Sequence, residues 1–257
     1  MPNAVHLAEL TTDDLRALLE RGGPCAALVP VGSVEPHGPH LPLATDTVIS
    51  VAAAERAAAS LREKGITALV APPVGYGVTR FAEGFAGAVS IPAGALSAFL
   101  RAIVDGLLEA GFSHVSLVNS HLEPDHDAAV RGALEGVAPG RASVASPLTR
   151  RWARTLSPEF KSGACHAGRY ETSIVLFASP ASVDMEVAAG LPDVSISLSE
   201  GIRSGQASFR AMGIERAYTG SPREASAEEG SELLDRLAAM IAAEVEEGLA
   251  AASGASR

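Results

Sequence analysis

The sequence predicts an α/β fold in which helices cover a mostly parallel sheet. Three observations support this: short apolar runs recur along the chain, amphipathic segments follow them, and loops containing Gly or Pro separate the two. The chain has 257 residues, of which 47% are hydrophobic and 19% are charged, so it can bury a substantial core. We expect a single domain over residues 1–257.

The first helix is predicted over TTDDLRALLERGG, with Thr12 or Asp13 as its cap and Gly22 and Gly23 as its end. Short apolar runs then predict buried strands, at residues 25–32, 66–74, 113–120 and 141–147. Amphipathic stretches predict the helices between them, at residues 46–65, 93–111 and 126–135. The order strand, loop, helix is typical of a parallel sheet.

The last third of the chain has a different character. It begins with HAGRYETSIVLFASP (166–180), in which ETSIVLFAS is compatible with a helix. A Gly- and Ser-rich region near 190–224 precedes a terminal helix over 227–251. The final SGASR is expected to fray. No repeat or linker indicates a second domain.

Charge and composition exclude several functions. With 30 acidic and 20 basic residues the net charge is −10, which disfavours nucleic acid as a partner. Cys25 and Cys165 are too few and too far apart for a secreted disulfide framework. No signal peptide is evident and no apolar run reaches about 18 residues, so a cytoplasmic protein without a membrane span is expected.

Acidic and imidazole side chains follow two of the predicted strands. Glu35, His37 and Asp46 come after the first strand, and His121 and Glu123 after the third. The carboxyl ends of parallel strands meet at one edge of a sheet, and residues i and i+2 of an extended segment face the same way. Carboxylates and imidazoles suit Zn or Mn, including two ions about 3.5 Å apart that share a carboxylate.

The same residues also allow a simpler interpretation. An Asp at a helix start, such as Asp46, is often a cap, and a His in a Pro-containing loop is often part of a polar turn. We expect His40 to be structural, and Glu159 has no supporting context. In HAGRYETS, His166 could act as a general acid or base oriented by Glu171, or Glu171 could simply favour a helix start.

Three stretches together resemble the creatininase (creatinine amidohydrolase) family. They are LVPVGSVEPHGPHLPLATD, LVNSHLE and HAGRYETS, in this order and at these intervals. The resemblance covers about residues 26–235. It implies a creatininase-like, three-layer α/β/α fold, two divalent metal ions (Zn and/or Mn), hydrolysis of amide C–N bonds and assembly as a homo-oligomer, commonly a hexamer.

The resemblance also implies roles for individual residues. Glu35, His37, Asp46, His121 and Glu123 match metal-ligand positions of the family, with Asp46 as the bridging carboxylate. His166 matches the catalytic histidine and Glu171 the acid of its ETS motif. These residues would let a metal-activated water attack an amide carbonyl while His166 carries the proton to the leaving nitrogen.

Departures from the family pattern limit the substrate. Thr79 stands near a position where members often have Ser, and Trp152 is the only tryptophan where creatininase uses several; both are our candidate substrate contacts. Ser120 and Leu122 replace glycines of the commoner loop. Creatinine is therefore not expected, and a small cyclic amide, lactam or formamide is the first hypothesis.

Two alternatives stay open. One is the peptidase branch of the family, which trims a modified peptide in cofactor maturation, although its more frequent GHGG loop is absent. The other is a metal-binding relative without catalysis. A dinucleotide-binding protein is disfavoured, because GYG at 75–77 is not followed by the remainder of a GxGxxG motif.

Overall fold

A parallel sheet of four strands forms the centre of the protein. In a computed structural model, which describes residues 5–255, its order is β2-β1-β3-β4. The strands are β1 (Cys25–Val31), β2 (Thr67–Val70), β3 (His114–Asn119) and β4 (Ala142–Ala145). Ala26 of β1 pairs with Ala68 on one side and His114 on the other. The four predicted strands are confirmed.

Helices connect the strands and build the last third of the chain. The α-helices are α1 (Thr12–Glu20), α2 (Thr45–Glu63), α3 (Ala93–Glu109), α4 (Pro124–Gly132), α5 (Arg150–Ala153), α6 (Pro158–Ser162), α7 (Arg169–Ala178), α8 (Met185–Ala189), α9 (Leu198–Arg203) and α10 (Ala227–Ala255). Short 3₁₀ turns occupy Leu7–Glu9, Pro180–Ser182 and Pro222–Glu224. Within residues 5–255, no helix has the length and apolar character needed to cross a membrane.

The two faces of the sheet carry different helices. On β1, Ala26 and Leu28 pack with α2, α7 and α10, whereas Ala27 and Val29 pack with α3 and α4. Because both faces are covered, β1 is apolar at every position rather than alternating. Truncating Leu28 to Ala would cost about 2–5 kcal/mol of stability. This arrangement confirms the three-layer α/β/α fold.

Two predicted helix ends are wrong. Thr11, and not Thr12 or Asp13, caps α1: its hydroxyl accepts the Asp14 N–H while the Asp14 carboxylate accepts the Thr11 N–H. A capping box needs an acid three residues after the cap, and only Thr11 has one at Asp14. At the other end, α10 continues to Ala255, so the predicted fraying does not begin at Ser253; residues 256–257 lie outside the described part.

A small third cluster holds the loop 75–92 over one edge of the sheet. Phe81 and Phe85 of this loop pack against Phe209, Met212 and Ile214 from the Gly- and Ser-rich region. Burial of such aromatic side chains stabilises the loop without regular secondary structure. The two irregular segments therefore meet beside the carboxyl ends of the strands.

Candidate metal centre

The loop after β1 approaches the start of α2 at Gly32. A Cβ atom on Gly32 would lie 2.7 Å from the Thr47 backbone nitrogen and 2.9 Å from the Asp46 Cβ. Those distances are shorter than real side chains allow, so only glycine permits this approach. As a result, Glu35 on the loop and Asp46 in the first turn of α2 lie side by side.

Four of the predicted ligands meet in one buried cluster. The Asp46 Oδ1 atom lies 3.3 Å from His37 Nε2, and its Oδ2 atom lies 3.0 Å from His121 Nδ1. Glu35 Oε1 lies 3.2 Å from His121 Nδ1 and 3.8 Å from His37 Nε2. All four side chains are at most 3% exposed. Asp46 is not a helix cap, since Ala44 occupies that position.

The outer nitrogen of each histidine lies against a backbone carbonyl. His37 uses Nδ1, whereas His121 and His166 use Nε2. The accepting carbonyls belong, in the same order, to Glu35, Val78 and Pro36, at 3.1, 2.8 and 3.0 Å. A carbonyl only accepts, so we assign the hydrogen to these nitrogens. The opposite nitrogen of each ring then faces the carboxylates as a potential ligand.

His166 and Glu171 complete the cluster. His166 Nδ1 lies 3.7 Å from Glu35 Oε1, and Glu171 Oε2 lies 3.5 Å from His37 Nε2. Between them, Ala167 adopts a left-handed conformation with φ of 48°, and its N–H donates to Glu171 Oε2 at 2.7 Å. Such strain in a non-glycine residue is typical of functional sites. Glu171 thus lies in the first turn of α7 and also reaches the cluster.

Three sets of side chains could each hold a metal ion, with potential ligand atoms within 4.8 Å of one another. The sets are Glu35/Asp46/His121, His37/Asp46/Glu171 and Glu35/His37/His166. Asp46 is shared by the first two, and a different carboxylate oxygen faces each histidine. This is the arrangement that a carboxylate bridging two ions requires.

Buried charges perturb the pKa values of the cluster. Burial lowers the pKa of His37, but the neighbouring Asp46 and Glu171 outweigh it and raise that pKa to about 10. For Asp46, burial raises the pKa, but His37 and His121 lower it well below its usual range. Burial raises the pKa of the Glu171 carboxyl. The protein therefore compensates its carboxylates with protons on imidazoles, a role that metal ions take over when they bind.

Two atoms of the candidate ligands lack the hydrogen-bond partner that burial normally demands. His37 Nε2 and Asp46 Oδ2 make no hydrogen bond with the described residues. An unpartnered buried polar atom costs about 1–3 kcal/mol, so such atoms call for an explanation. Divalent cations at the two candidate positions that share Asp46 would satisfy both atoms. Carboxylate oxygens and imidazole nitrogens are ligands that Zn and Mn accept, and the residues fit this chemistry.

Glu123 belongs to none of the three ligand sets. Its two oxygens accept the N–H groups of Arg80 and Phe81, both at 3.1 Å, which ties the loop 75–92 to the end of β3. Each carboxylate oxygen has a second lone pair, and Glu123 also lines the cavity described below. Its role as a metal ligand stays a prediction.

The two predicted substrate contacts lie outside the cavity lining. The Thr79 hydroxyl is buried and donates to Glu35 Oε2, so it touches a candidate ligand. The Trp152 indole N–H donates to Glu244 on α10 at 2.8 Å. Their contact with substrate stays a prediction, and these bonds supply each side chain with a structural role. His40, expected to be structural, bonds the Thr172 hydroxyl at 2.9 Å.

A cavity of about 460 Å³ opens onto the cluster. Glu35, Asp46, His121, His166 and Glu171 are among its lining residues. One wall is apolar and includes Phe81, Leu198, Ile202 and Phe209. The volume lies within the range of about 300–1,000 Å³ that is typical of ligand sites. The potential ligands are therefore reachable by a small molecule or a segment of peptide.

Sequence reasoning did not identify two neighbours of the cluster. His126 is fully buried, accepts the Val78 N–H, and packs edge-on against His121 with ring centroids 4.6 Å apart. Its signal was present, since His126 follows His121 by five residues in HLEPDHD. Phe209 lies 4.6 Å from the His166 ring, but nothing in its Gly- and Ser-rich surroundings indicates that position.

The fold and the cluster define a class of protein: a parallel α/β protein with a buried carboxylate and imidazole centre at the carboxyl ends of its strands. A family model named Creatininase, described as creatinine amidohydrolase, matches residues 8–245. The chain belongs to the creatininase family and is a hydrolase of that family.

Similar proteins agree with this assignment. A mycofactocin precursor peptide peptidase of Mycobacterium ulcerans (strain Agy99) is 34% identical over 232 residues, which cover 84% of each chain. A crystal structure of creatinine amidohydrolase (creatininase) matches with a TM-score of 0.74 and 23% identity, over 95% of this chain and 98% of the other. A structure named creatininase Mn matches with a TM-score of 0.73 and 23% identity over the same shares.

Proposed function

We propose that this protein hydrolyses an amide C–N bond of a peptide with the help of two divalent metal ions. Glu35, Asp46 and His121 would hold one ion, and His37, Asp46 and Glu171 the other. The observation that carries the proposal is Asp46, whose two carboxylate oxygens face two different histidines, at 3.3 Å from His37 and 3.0 Å from His121.

When bound, the metal ions would lower the pKa of a water molecule and polarise an amide carbonyl. The protein supplies the proton transfer. Burial and the charge on His37 lower the pKa of His166 to about 4, so its ring is neutral near pH 7. Pro36 holds its Nε2–H, which leaves Nδ1 free to take a proton from water and return it to the leaving nitrogen.

Two observations favour a peptide over a small cyclic amide. The relative with 34% identity over 84% of the chain is named as a peptide peptidase, whereas the matched creatininase structures are 23% identical. In addition, the only tryptophan, Trp152, points its indole N–H at Glu244 and does not line the cavity, so it does not flank a planar ring there. The small amide, lactam or formamide that the sequence placed first becomes the second candidate.

The metal proposal is tested by metal content of protein purified without chelator. We expect about two Zn or Mn ions per chain in the wild type and fewer than one in His121→Ala. His6→Ala is the matched control, because His6 pairs with Glu55 at 2.8 Å and belongs to none of the three ligand sets. Fewer than one ion per chain in the wild type would contradict the dinuclear centre.

The substrate proposal is tested on the metal-loaded protein. Peptides, lactams, formamides and creatinine are offered in parallel, and products are identified by mass spectrometry. Cleavage of peptides ahead of creatinine is expected. Turnover of cyclic amides alone would favour the second candidate, and bound metal without any turnover would favour a metal-binding relative without catalysis. The cytoplasmic location and the homo-oligomer stay predictions.

A further inference from the structure

Three exposed basic side chains line the cavity without an acidic partner among the described residues. Arg150, Arg154 and Lys161 all line it and are exposed. None of them forms an ion pair or a side-chain hydrogen bond with the residues that the structure describes. We call these three residues the basic rim. In a chain of net charge −10, an unpaired group of three cations beside one cavity needs an explanation.

The neighbouring Arg151 shows what a paired arginine does on the same helix. Its guanidinium donates to both carboxylate oxygens of Glu247 on α10, at 2.6 and 2.9 Å, and covers the Trp152 ring at 4.2 Å. Arg150 and Arg154 are four residues apart and both line the cavity, whereas Arg151 does not line it. Arg151 faces α10 instead.

The basic rim is not required to neutralise the acidic floor of the cavity. That floor contains the carboxylates of Glu35, Asp46, Glu123 and Glu171. When these four are ionised, two divalent cations offset their charge completely. With the metals of the proposed function in place, the three rim cations face a cavity whose floor is neutral, and they remain available for an anion.

We propose that Arg150, Arg154 and Lys161 bind a carboxylate of the substrate outside the scissile amide. This inference rests on the proposed function and narrows its substrate to peptides with a free carboxylate near the cleaved bond. Leu198, Ile202 and Phe209 line the same cavity, with Phe209 against the His166 ring, so they suit an apolar side chain next to that carboxylate. Guanidinium groups bind carboxylates through two parallel hydrogen bonds, which favours arginine for this role.

Binding to the metal-loaded protein tests the rim without requiring turnover. The probes are an N-acetylated peptide of two glycines and a phenylalanine with a free C-terminal carboxylate, the same peptide as its carboxamide, and a carboxamide peptide in which glutamate follows the phenylalanine. The fluorescence of the only tryptophan, Trp152, or calorimetry reports binding. The free-carboxylate probe is expected to bind about 10- to 100-fold more tightly than the carboxamide.

The triple variant R150Q/R154Q/K161Q removes the charge of the rim and keeps polar side chains at exposed positions. It should bind the two phenylalanine-terminated peptides equally, whereas the control R151Q should retain the wild-type preference. Thermal unfolding confirms that both variants are folded. Raising the salt concentration from about 50 to about 500 mM should weaken binding of the free-carboxylate probe more than binding of the carboxamide probe.

Each outcome separates the rim from the proposed function. Three results would contradict the proposed role of the basic rim. The wild type could bind the free-carboxylate and carboxamide peptides equally, or the triple variant could keep the wild-type preference. The free-carboxylate probe could also fail to bind at millimolar concentration. Binding with this preference but without cleavage of any peptide keeps the rim and contradicts the proposed function. Tight binding of the glutamate probe would show that the basic rim binds an acidic side chain of the substrate. Failure of that probe to bind would show that the rim binds the C-terminal carboxylate of the substrate.

Discussion

Asp46 is buried and Glu159 is partly buried, and the surroundings of these two carboxylates differ. Glu159 accepts three backbone N–H groups, from Tyr170 at 2.7 Å, Ser221 at 2.8 Å and Arg169 at 3.0 Å. Asp46 has histidines beside both oxygens, and its Oδ2 accepts no N–H from the described backbone. Removal of a carboxylate from solvent, partial or complete, is therefore not in itself a sign of a metal site. The informative feature is a buried acid that the backbone leaves unsatisfied.

The largest effect should come from exchanging the two acids for their amides. Asp46→Asn removes the charge that both candidate ion positions share, so we expect bound metal to fall below one ion per chain and turnover to fall at least about 100-fold. Glu159→Gln should retain its metal. Metal analysis of both variants checks this, and equal metal loss in the two would abolish the distinction between the acids.

The next effect concerns proton transfer rather than metal binding. His166→Gln should lower kcat about 100- to 10,000-fold, because no imidazole remains to shuttle the proton. Since we place His166 outside the two ligand sets that share Asp46, metal content should stay at the wild-type level. Steady-state kinetics with metal analysis of the same sample tests both points. Loss of metal together with activity would move His166 to the ligands.

Metal binding should release protons near pH 7. The carboxylates around His37 raise its pKa to about 10, and those around His121 raise its pKa well above the usual value, so both rings are protonated in the metal-free protein. Metal binding displaces these two protons and also the proton that the Glu171 carboxyl, with its pKa raised to about 8, retains at pH 7. About three protons per chain should therefore be released at pH 7, and fewer as the pH approaches 10.

Calorimetric titration in buffers of different ionisation enthalpy counts these protons. The same raised pKa of His37 also makes the stability of the metal-free protein depend on pH. Its contribution to stability is fully present below about pH 6.5 and is lost as the pH rises through 10. A titration with no buffer dependence at pH 7 would show that both rings are already neutral.

The smallest effect should be on stability at the satisfied acid. In Glu159→Gln the amide presents one accepting oxygen and an NH₂ group to three N–H donors, so some backbone bonds are lost. We expect the free energy of unfolding to fall by about 1–3 kcal/mol. Chemical denaturation measures it, and an unchanged midpoint would mean that these bonds contribute nothing to the fold.

Much of the fold could be predicted from the sequence because burial on both faces leaves a simple pattern. β1 is apolar at all seven positions, and a run of that kind between loops is hard to place anywhere except in a covered sheet. The start of α1 was displaced by one residue, since Thr11 and Thr12 are the same residue type and only the partner Asp14 distinguishes them.

The centre could be predicted in part. The spacing of Glu35 and His37 indicated convergence, and the two side chains do approach each other, with His37 beside Asp46 and Glu35 beside His121. The same argument was less informative for Glu123, because its oxygens turn to two backbone N–H groups of another loop. The positions of Phe209 and of the basic rim depend on how irregular segments pack, and no periodicity in the sequence records that.

The candidate ligands come from positions far apart in the chain, with Glu35 before α2, Asp46 in its first turn, His121 after β3 and Glu171 in α7. Two ions that share Asp46 and are held by these residues would fasten two helices to two strand ends, and none of these segments could unfold without releasing an ion. At a free metal concentration of 100 times the dissociation constant, such an ion adds about 2.7 kcal/mol to the resistance against unfolding. The supply of metal in a cell would then determine how long each molecule survives its proteases, in addition to how fast it works.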